Sequence, residues 1–410
     1  MSLTRFLPTP SDRMGILWNL LTIEGSVILE YGPAGTTHFS MSLYGELDID
    51  QQNRLFTTHM SEADVVMGDV TRLEKAIVEV DETHHPKVIF VVASSVAAVI
   101  GVDLRGVCTY MQDRVAARLI AFEQGGFRGD YSIGMKEVCK MLVREIPLPQ
   151  EEKTEGTYNI IGASLWSYRV RSDIWEIQSL LREGFGLEMS ACLCADTSIE
   201  ELEQMGSAQL NLVIHGAGEE AARILEKEFQ TPYIYALPYG YEQTLQWLYQ
   251  VGERIQKPLN KSLEQRLKEK SRTAMQYRMY AMMLKEDKLK ATLAGEYDTI
   301  TGIGDFLERI GFFVNHKICM HSLRSINAPR EDVIHPDTEK ERIEILKSLH
   351  RELVLADDTQ LGLCSRDNTG LRIASPVIKG MVLARHLPLA GEKGADGILE
   401  YVEQYIQPLR

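Results

Sequence analysis

Cysteine is scarce in this 410-residue chain, and its six thiols (Cys108, Cys139, Cys192, Cys194, Cys319 and Cys364) fall into no Cys-x-x-Cys spacing. That excludes a zinc ribbon or a dithiol redox motif, and in a reducing compartment the thiols are most simply free. Only Cys192 and Cys194 are close. On a strand they share one face, and Met189-Ser190-Ala191 and Leu193 around them make an interior apolar pair. There is no Gly-x-x-x-x-Gly-Lys-(Ser/Thr) loop, so any ATP is used by another protein, and no His-x-x-x-His or His-Glu-x-x-His pattern, which argues against hydrolytic zinc chemistry. Gly302-x-Gly304 lacks the third glycine of a dinucleotide fingerprint. Positive charge is short as well: 44 Lys and Arg face 58 Asp and Glu, a net charge of -14 that argues against nucleic acid as a partner. No window approaches the roughly 18 apolar residues of a membrane span, and the N-terminus opens no signal-peptide core. The expected location is the cytoplasm, with no membrane partner.

What the chain does have is alternation of strand and helix patterns. Its length exceeds the roughly 250–300 residues at which a single core stops growing, which suits two or three domains. The apolar runs Ser26–Leu29 and Val88–Val92 read as buried parallel strands. Each leads into a loop, Glu30-Tyr31-Gly32-Pro33-Ala34-Gly35-Thr36-Thr37-His38-Phe39 and Ala93-Ser94-Ser95 onward to Asp103, placed where open α/β sheets hold their ligands. Between them the spacing of Leu73, Ala76, Ile77 and Val80 predicts a helix over 70–80, followed by a turn at His84-His85-Pro86-Lys87. The polar, proline-interrupted segment 147–156 reads as a linker. Beyond it, strands at 158–162, 187–192, 210–214 and 233–236 alternate with helices at 173–182, 198–205 and 219–229, the first ended by Gly184 and Gly186. Long helices over 242–257 and 263–284 bridge to strands at 290–294, 315–320 and 353–357. The stripe Met275, Met279, Met282, Met283 reads as flexible core filler. The expected divisions are 1–150, 151–285 and 286–410.

The two loops resemble those of the component 1 proteins of the nitrogenase superfamily, whose Gly-Pro-x-Gly-Cys and Ser-Thr-Cys-x-x-x-x-Ile-Gly-Asp-Asp segments supply cluster-binding cysteines. Thr36 and Ser95 stand at those thiol positions here, and Ser11, four residues before Gly15, stands at a third. The loop Glu123-Gln124-Gly125-Gly126-Phe127-Arg128-Gly129-Asp130 and the closing segments 373–378 and 387–395 resemble further family landmarks. The resemblance covers nearly the whole chain. It implies an α/β fold of three Rossmann-like, doubly wound parallel-sheet domains around a central cleft, a homologous component 1-type partner subunit or a copy of itself, and electrons from a separate ATP-dependent iron–sulfur reductase.

Hydroxyls titrate far above neutrality and replace soft thiolates poorly at iron. Ser11, Thr36 and Ser95, with Gly35, Thr37 and Gly126 around them, are thus expected to hydrogen-bond backbone in a filled-in cofactor-binding site, the iron–sulfur cluster at the subunit interface being held mainly by the partner chain. Asp12 is a further oxygen ligand the resemblance offers. Two histidines carry the expected catalytic roles. His38 lies two residues past Thr36; His215 ends the strand 210–214 before Gly216-Ala217-Gly218, where active family members carry a cofactor-anchoring cysteine, while their other anchor aligns near Ala374. One imidazole suits a proton donor or an axial ligand to a metallocofactor or metallated tetrapyrrole. The main functional expectation is a subunit of a nitrogenase-like reductase acting on a small molecule. The alternative is a non-catalytic structural partner or cofactor-assembly scaffold.

Overall fold

A computed structural model describes residues 4, 9–37, 54–149, 152–283, 289–376 and 387–407. Among the described residues three large sheets follow one another along the chain, with a two-stranded pairing of Ile23–Glu24 and Thr197–Ser198 between the first two, and every strand pairing is parallel. The first is built from β1 (Ser26–Tyr31), β2 (Leu55–Thr57), β3 (Val88–Ala93) and β4 (Arg118–Phe122) in the order β2-β1-β3-β4. The second takes β5 (Thr154–Ile161), β6 (Glu188–Leu193), β7 (Ala208–Val213) and β8 (Tyr233–Tyr235) in the order β8-β7-β5-β6. The third takes β9 (Lys290–Gly295), β10 (Phe313–Cys319), β11 (Val333–Ile334), β12 (Leu353–Ala356) and β13 (Thr369–Arg372) in the order β11-β10-β9-β12-β13.

In each sheet the chain winds outward from an inner strand in both directions. A reversal of this kind opens a crevice at the strand C-termini, between β1 and β3, between β5 and β7, and between β9 and β12. The strands can be parallel because both faces are covered: in β1, Val27 and Leu29 face one core while Ile28 faces another, the period of two that a pleated strand imposes.

The sheets share their cores. One cluster joins the second and third sheets through Tyr158, Leu212, Leu293 and Leu355. Another joins α1 (Asp12–Leu20) and α4 (Tyr131–Glu145), which cover the first sheet, to the second sheet through Trp18, Val138, Trp166 and Val213. The first sheet's other face closes on α2 (Thr71–His84) and α3 (Leu104–Met111). α1 and α4 touch backbone to backbone. A Cβ on Gly15 would lie 2.0 Å from the Tyr131 carbonyl oxygen, and one on Gly134 would lie 1.9 Å from that of Asp12, so both positions require glycine.

The structure corrects several expectations. α2 continues through His84. The residue that Pro86 forces out of the helix is its immediate neighbour, His85, which takes a left-handed φ of 46°. Gly184 lies inside α5 (Val170–Phe185), where it admits Leu259 closely, and Gly186 alone is the left-handed cap. The expected linker is already strand from Thr154 onward. The pattern at 198–205 divides into a short helix, Ile199–Glu203, and a 3-10 turn, Met205–Ser207. Cys192 and Cys194 are both buried but do not share a face, because β6 ends at Leu193. Cys194 instead turns toward Cys139, its sulfur 3.7 Å away. The methionine stripe is not core. α6 (Glu219–Phe229) and α7 (Tyr241–Ile255) precede α8 (Lys261–Met283), which buries Leu263, Leu267 and Ala274 and leaves Met275, Met279, Met282 and Met283 40–81% exposed. Among the described residues no helix is long and apolar enough to cross a membrane.

Candidate functional site

The first crevice gathers the three hydroxyl positions. Gly126, at φ +97°, sits against both serines: a Cβ there would lie 3.2 Å from Ser11 Oγ and 3.6 Å from Ser95 Oγ. Gly32, at the end of β1, does the same for Ser94 and Thr36, whose Oγ1 would be 3.5 Å from a Cβ. Ser11 is brought in by backbone pairing with Asp130, where Tyr131 N donates to Pro10 O at 2.8 Å and Asp12 N to Gly129 O at 3.0 Å. A Cβ on Gly35 would meet nothing within 4 Å. His38 lies outside the described residues.

The Ser95, Thr36 and Thr37 hydroxyls are engaged. Ser95 Oγ donates to Gly125 O at 2.6 Å, Thr36 Oγ1 to Pro33 O at 2.8 Å, and Thr37 Oγ1 to Glu30 Oε2 at 2.6 Å. Glu30, fully buried, also forms an ion pair with the buried Arg13. An iron–sulfur cluster needs thiolates. No thiol lies among these groups. Burial pushes the Cys108 and Cys319 thiols up to about 12, and among the described residues no group of three or more His, Cys, Asp or Glu could hold a metal ion. Asp12 is fully buried at the first turn of α1. Burial raises its carboxyl while the amides of Arg128 and Arg13 and the Arg128 charge partly offset that, without a hydrogen bond of standard geometry to either oxygen. The residues present do not fit a cluster held by this chain alone.

The second crevice holds His215 between β5 and β7. Gly162, at φ +87°, lies against it, for a Cβ there would be 3.0 Å from His215 O and 3.2 Å from its Cβ. His215 is 3% exposed, its Nδ1 accepts from Ala217 N at 3.1 Å, and its Nε2 has no hydrogen-bond partner among the described residues. The third sheet supplies the facing wall. Glu296 and Asp298 follow β9, with Asp298 at the start of α9 (Tyr297–Arg309), and His321 follows β10. Asp298 accepts from Gly216 N at 2.9 Å and from Tyr235 Oη at 2.6 Å. The His321 ring centre is 5.7 Å from that of His215 and 5.8 Å from that of Tyr131, whose hydroxyl donates to Glu296 Oε1 at 3.4 Å. Tyr131 lies 5.7 Å from Trp166, which stacks on Trp18 at 4.2 Å. All three sheets thus contribute to one buried junction. Ala374 is buried too, but against Gly295 at the third crevice.

His215 was found from its strand-end position. Its neighbours were not, although the same rule marks Glu296 and His321: each follows the end of a parallel strand. His321 accepts from Tyr297 N through Nε2 at 3.1 Å and faces Ser322 O through Nδ1 at 3.2 Å, so both nitrogens are engaged. Burial, reinforced by the neighbouring His215, holds it down to about 4. A histidine neutral in the fold but protonating near 6.5 when unfolded gives stability that is present above that value and lost as the pH falls toward 4. Relative to His321→Gln, the wild type is expected to lose on the order of 3 kcal/mol of unfolding free energy between about pH 7 and pH 4. Urea titrations across that range measure it, and parallel pH profiles for the two proteins would refute it.

A sequence model of the family described as nitrogenase component 1 type oxidoreductase matches residues 11–406. The chain is similar to the nitrogenase iron-molybdenum cofactor biosynthesis protein NifE of Clostridium pasteurianum, at 29% identity over 284 residues, covering 68% of this chain and 61% of that protein. NifE of Klebsiella pneumoniae is 30% identical over 246 residues, covering 57% and 53%. NifE of Methanosarcina barkeri is 29% identical over 234 residues, covering 54% and 50%. The chain thus spans about half to three-fifths of the length of the curated relatives it matches. Among solved structures, a chain of "Nitrogenase Cp1 at pH 6.5" superposes with a TM-score of 0.80 at 17% identity, covering 100% of this chain and 94% of that one, and shows the shared fold.

Proposed function

Because this chain belongs to the nitrogenase component 1 type oxidoreductase family, we propose that it serves as a cofactor-assembly scaffold, pairing with a homologous component 1-type subunit whose thiolates hold an iron–sulfur cluster at their shared face. The observation that carries this reading is the convergence of Ser11, Thr36 and Ser95 at one crevice, with Ser95 and Thr36 donating to backbone. A reductase subunit relaying electrons through its own half of a cluster needs thiolates there; a scaffold that positions a maturing cargo does not. Val99 and Phe127 stand beside the same crevice 71% and 68% exposed, apolar surface suited to a partner. The curated relatives named above are cofactor biosynthesis proteins, which favours the scaffold over the reductase subunit.

In this reading Gly35, Thr37 and Gly126 shape the partner seam, His215 meets the cargo, and an ATP-dependent iron–sulfur reductase supplies electrons. The test is anaerobic purification of the chain alone and with a homologous partner encoded beside it. The chain alone is expected to carry no stoichiometric iron, and the complex loaded with iron-55 and sulfide to pass its label to an acceptor protein. Retention of the label through many turnovers of reductase- and ATP-dependent proton reduction would instead establish the reductase subunit.

A further inference from the structure

We propose that Cys139 and Cys194 are a modification site, a dithiol that peroxide converts to a disulfide tying α4 of the first domain to the end of β6 in the second. No sequence spacing shows this pair, because its members lie 55 positions apart. The fold sets them sulfur to sulfur at 3.7 Å. Cys139 is in the middle of α4 and Cys194 is one residue past β6, both 0% exposed in the cluster that joins the first two sheets through Leu17, Val138, Leu193 and Val213.

The other buried thiols are differently placed. Cys319 Sγ donates to His321 O at 3.2 Å and Cys364 Sγ to Gln360 O at 3.3 Å, so each has a backbone partner. Cys139 and Cys194 have no hydrogen-bond partner but one another among the described residues. Their backbones are also pinned. Cys194 N donates to Ala163 O at 3.0 Å, and its carbonyl accepts from Thr22 Oγ1 at 3.0 Å. α4 is locked against α1 by the close approaches at Gly15 and Gly134. The sulfurs therefore stay together, and forming an S–S bond of about 2.05 Å asks roughly 1.7 Å of movement shared between two side chains, within reach of side-chain rotation.

The chemistry balances with hydrogen peroxide as oxidant. One thiolate attacks the O–O bond, giving a sulfenic acid and hydroxide; the neighbouring sulfur then displaces water from that sulfenic acid. Two thiols and one peroxide become one disulfide and two waters. Because the second sulfur is already in contact, it captures the sulfenic acid before further peroxide carries it to the sulfinic acid. Burial keeps the Cys194 thiol protonated, so reaction proceeds through transient openings of the core and is slow. Without oxidant the pair remains two thiols. Once formed, the bond holds the first sheet to the second across their shared core, since α4 begins beside the first crevice and β6 pairs with β5 beside the second.

Peptide mapping of the full chain tests this. The protein is treated with hydrogen peroxide at a dose that oxidises the partly exposed Cys364, denatured in iodoacetamide, digested and weighed. One peptide pair is expected, joined through Cys139 and Cys194 and separated by dithiothreitol. The oxidised chain is expected to unfold at higher urea than the reduced chain, and dithiothreitol to reverse the rise. Cys192→Ala should leave the link intact, whereas in Cys139→Ala the Cys194 sulfur should go on to the sulfinic acid. Should Cys139→Ala fail to fold, the wild-type map decides by itself. Cys139 and Cys194 both recovered alkylated from the treated wild type, either one joined to Cys192, sulfinic acid at either one, or an unchanged urea midpoint would overturn the proposal.

Discussion

Glu30→Ala is expected to lower the unfolding free energy by about 3–5 kcal/mol, enough to unfold a marginal protein. Glu30 occupies the fifth position of β1, fully buried, and its carboxylate serves three groups at once: the Arg13 guanidinium from α1 and the hydroxyls of Thr37 at 2.6 Å and Thr36 at 3.5 Å. Removing it leaves a guanidinium, 7% exposed, without its carboxylate and takes an acceptor from two hydroxyls. The pair itself need not be net stabilising, since desolvating two charges offsets much of their attraction. The double variant Arg13→Met/Glu30→Leu is accordingly expected to recover most of the loss. Urea midpoints at constant slope measure both, and a loss below about 1 kcal/mol in Glu30→Ala would show that the Glu30 carboxylate contributes little to holding Arg13.

Restoring thiols should have a comparably large effect on composition. The triple variant Ser11→Cys/Thr36→Cys/Ser95→Cys, reconstituted anaerobically with iron, sulfide and a small thiol to complete the fourth iron, is expected to bind roughly the iron of one four-iron cluster where the parent chain binds none. The three positions converge on Gly32, Ser94 and Gly126, and at Thr36 and Ser95 a thiolate exchanges a backbone hydrogen bond for a soft, deprotonated ligand. Iron analysis and charge-transfer absorbance read the result. If the variant takes up no more iron than the parent, the crevice is closed for reasons other than the missing sulfur.

Much of the fold could be read before any coordinates. The run Val88-Ile89-Phe90-Val91-Val92 is buried on both faces and could only be an inner parallel strand, and alternation of such runs with amphipathic helices dictates doubly wound sheets. The strand ends then marked Thr36, Ser95 and His215. Less legible was whatever depends on which face of a helix meets a neighbour. The methionines on α8 have the spacing of a core stripe, yet the core uses Leu263, Leu267 and Ala274, because the position of the adjoining helix chooses between two apolar faces. Cys194 departed from its expected face because β6 stops one residue earlier, and a period of two holds only while the strand lasts.

By itself the sequence determined the alternation and parallel sense of the strands and the crevices at their ends, since these follow from local periodicity and turn chemistry; the exchange of sulfur for oxygen at Ser11, Thr36 and Ser95 was legible only through the resemblance to the nitrogenase component 1 proteins. Only the tertiary structure decided that Tyr131 from α4, His215 after β7, and Glu296 and His321 after β9 and β10 meet in one buried junction, and that His215 Nε2 meets no hydrogen-bond partner there among the described residues. Hydrogen-bond satisfaction is a property of the closed packing around a group, and residues more than a hundred positions apart make or deny it.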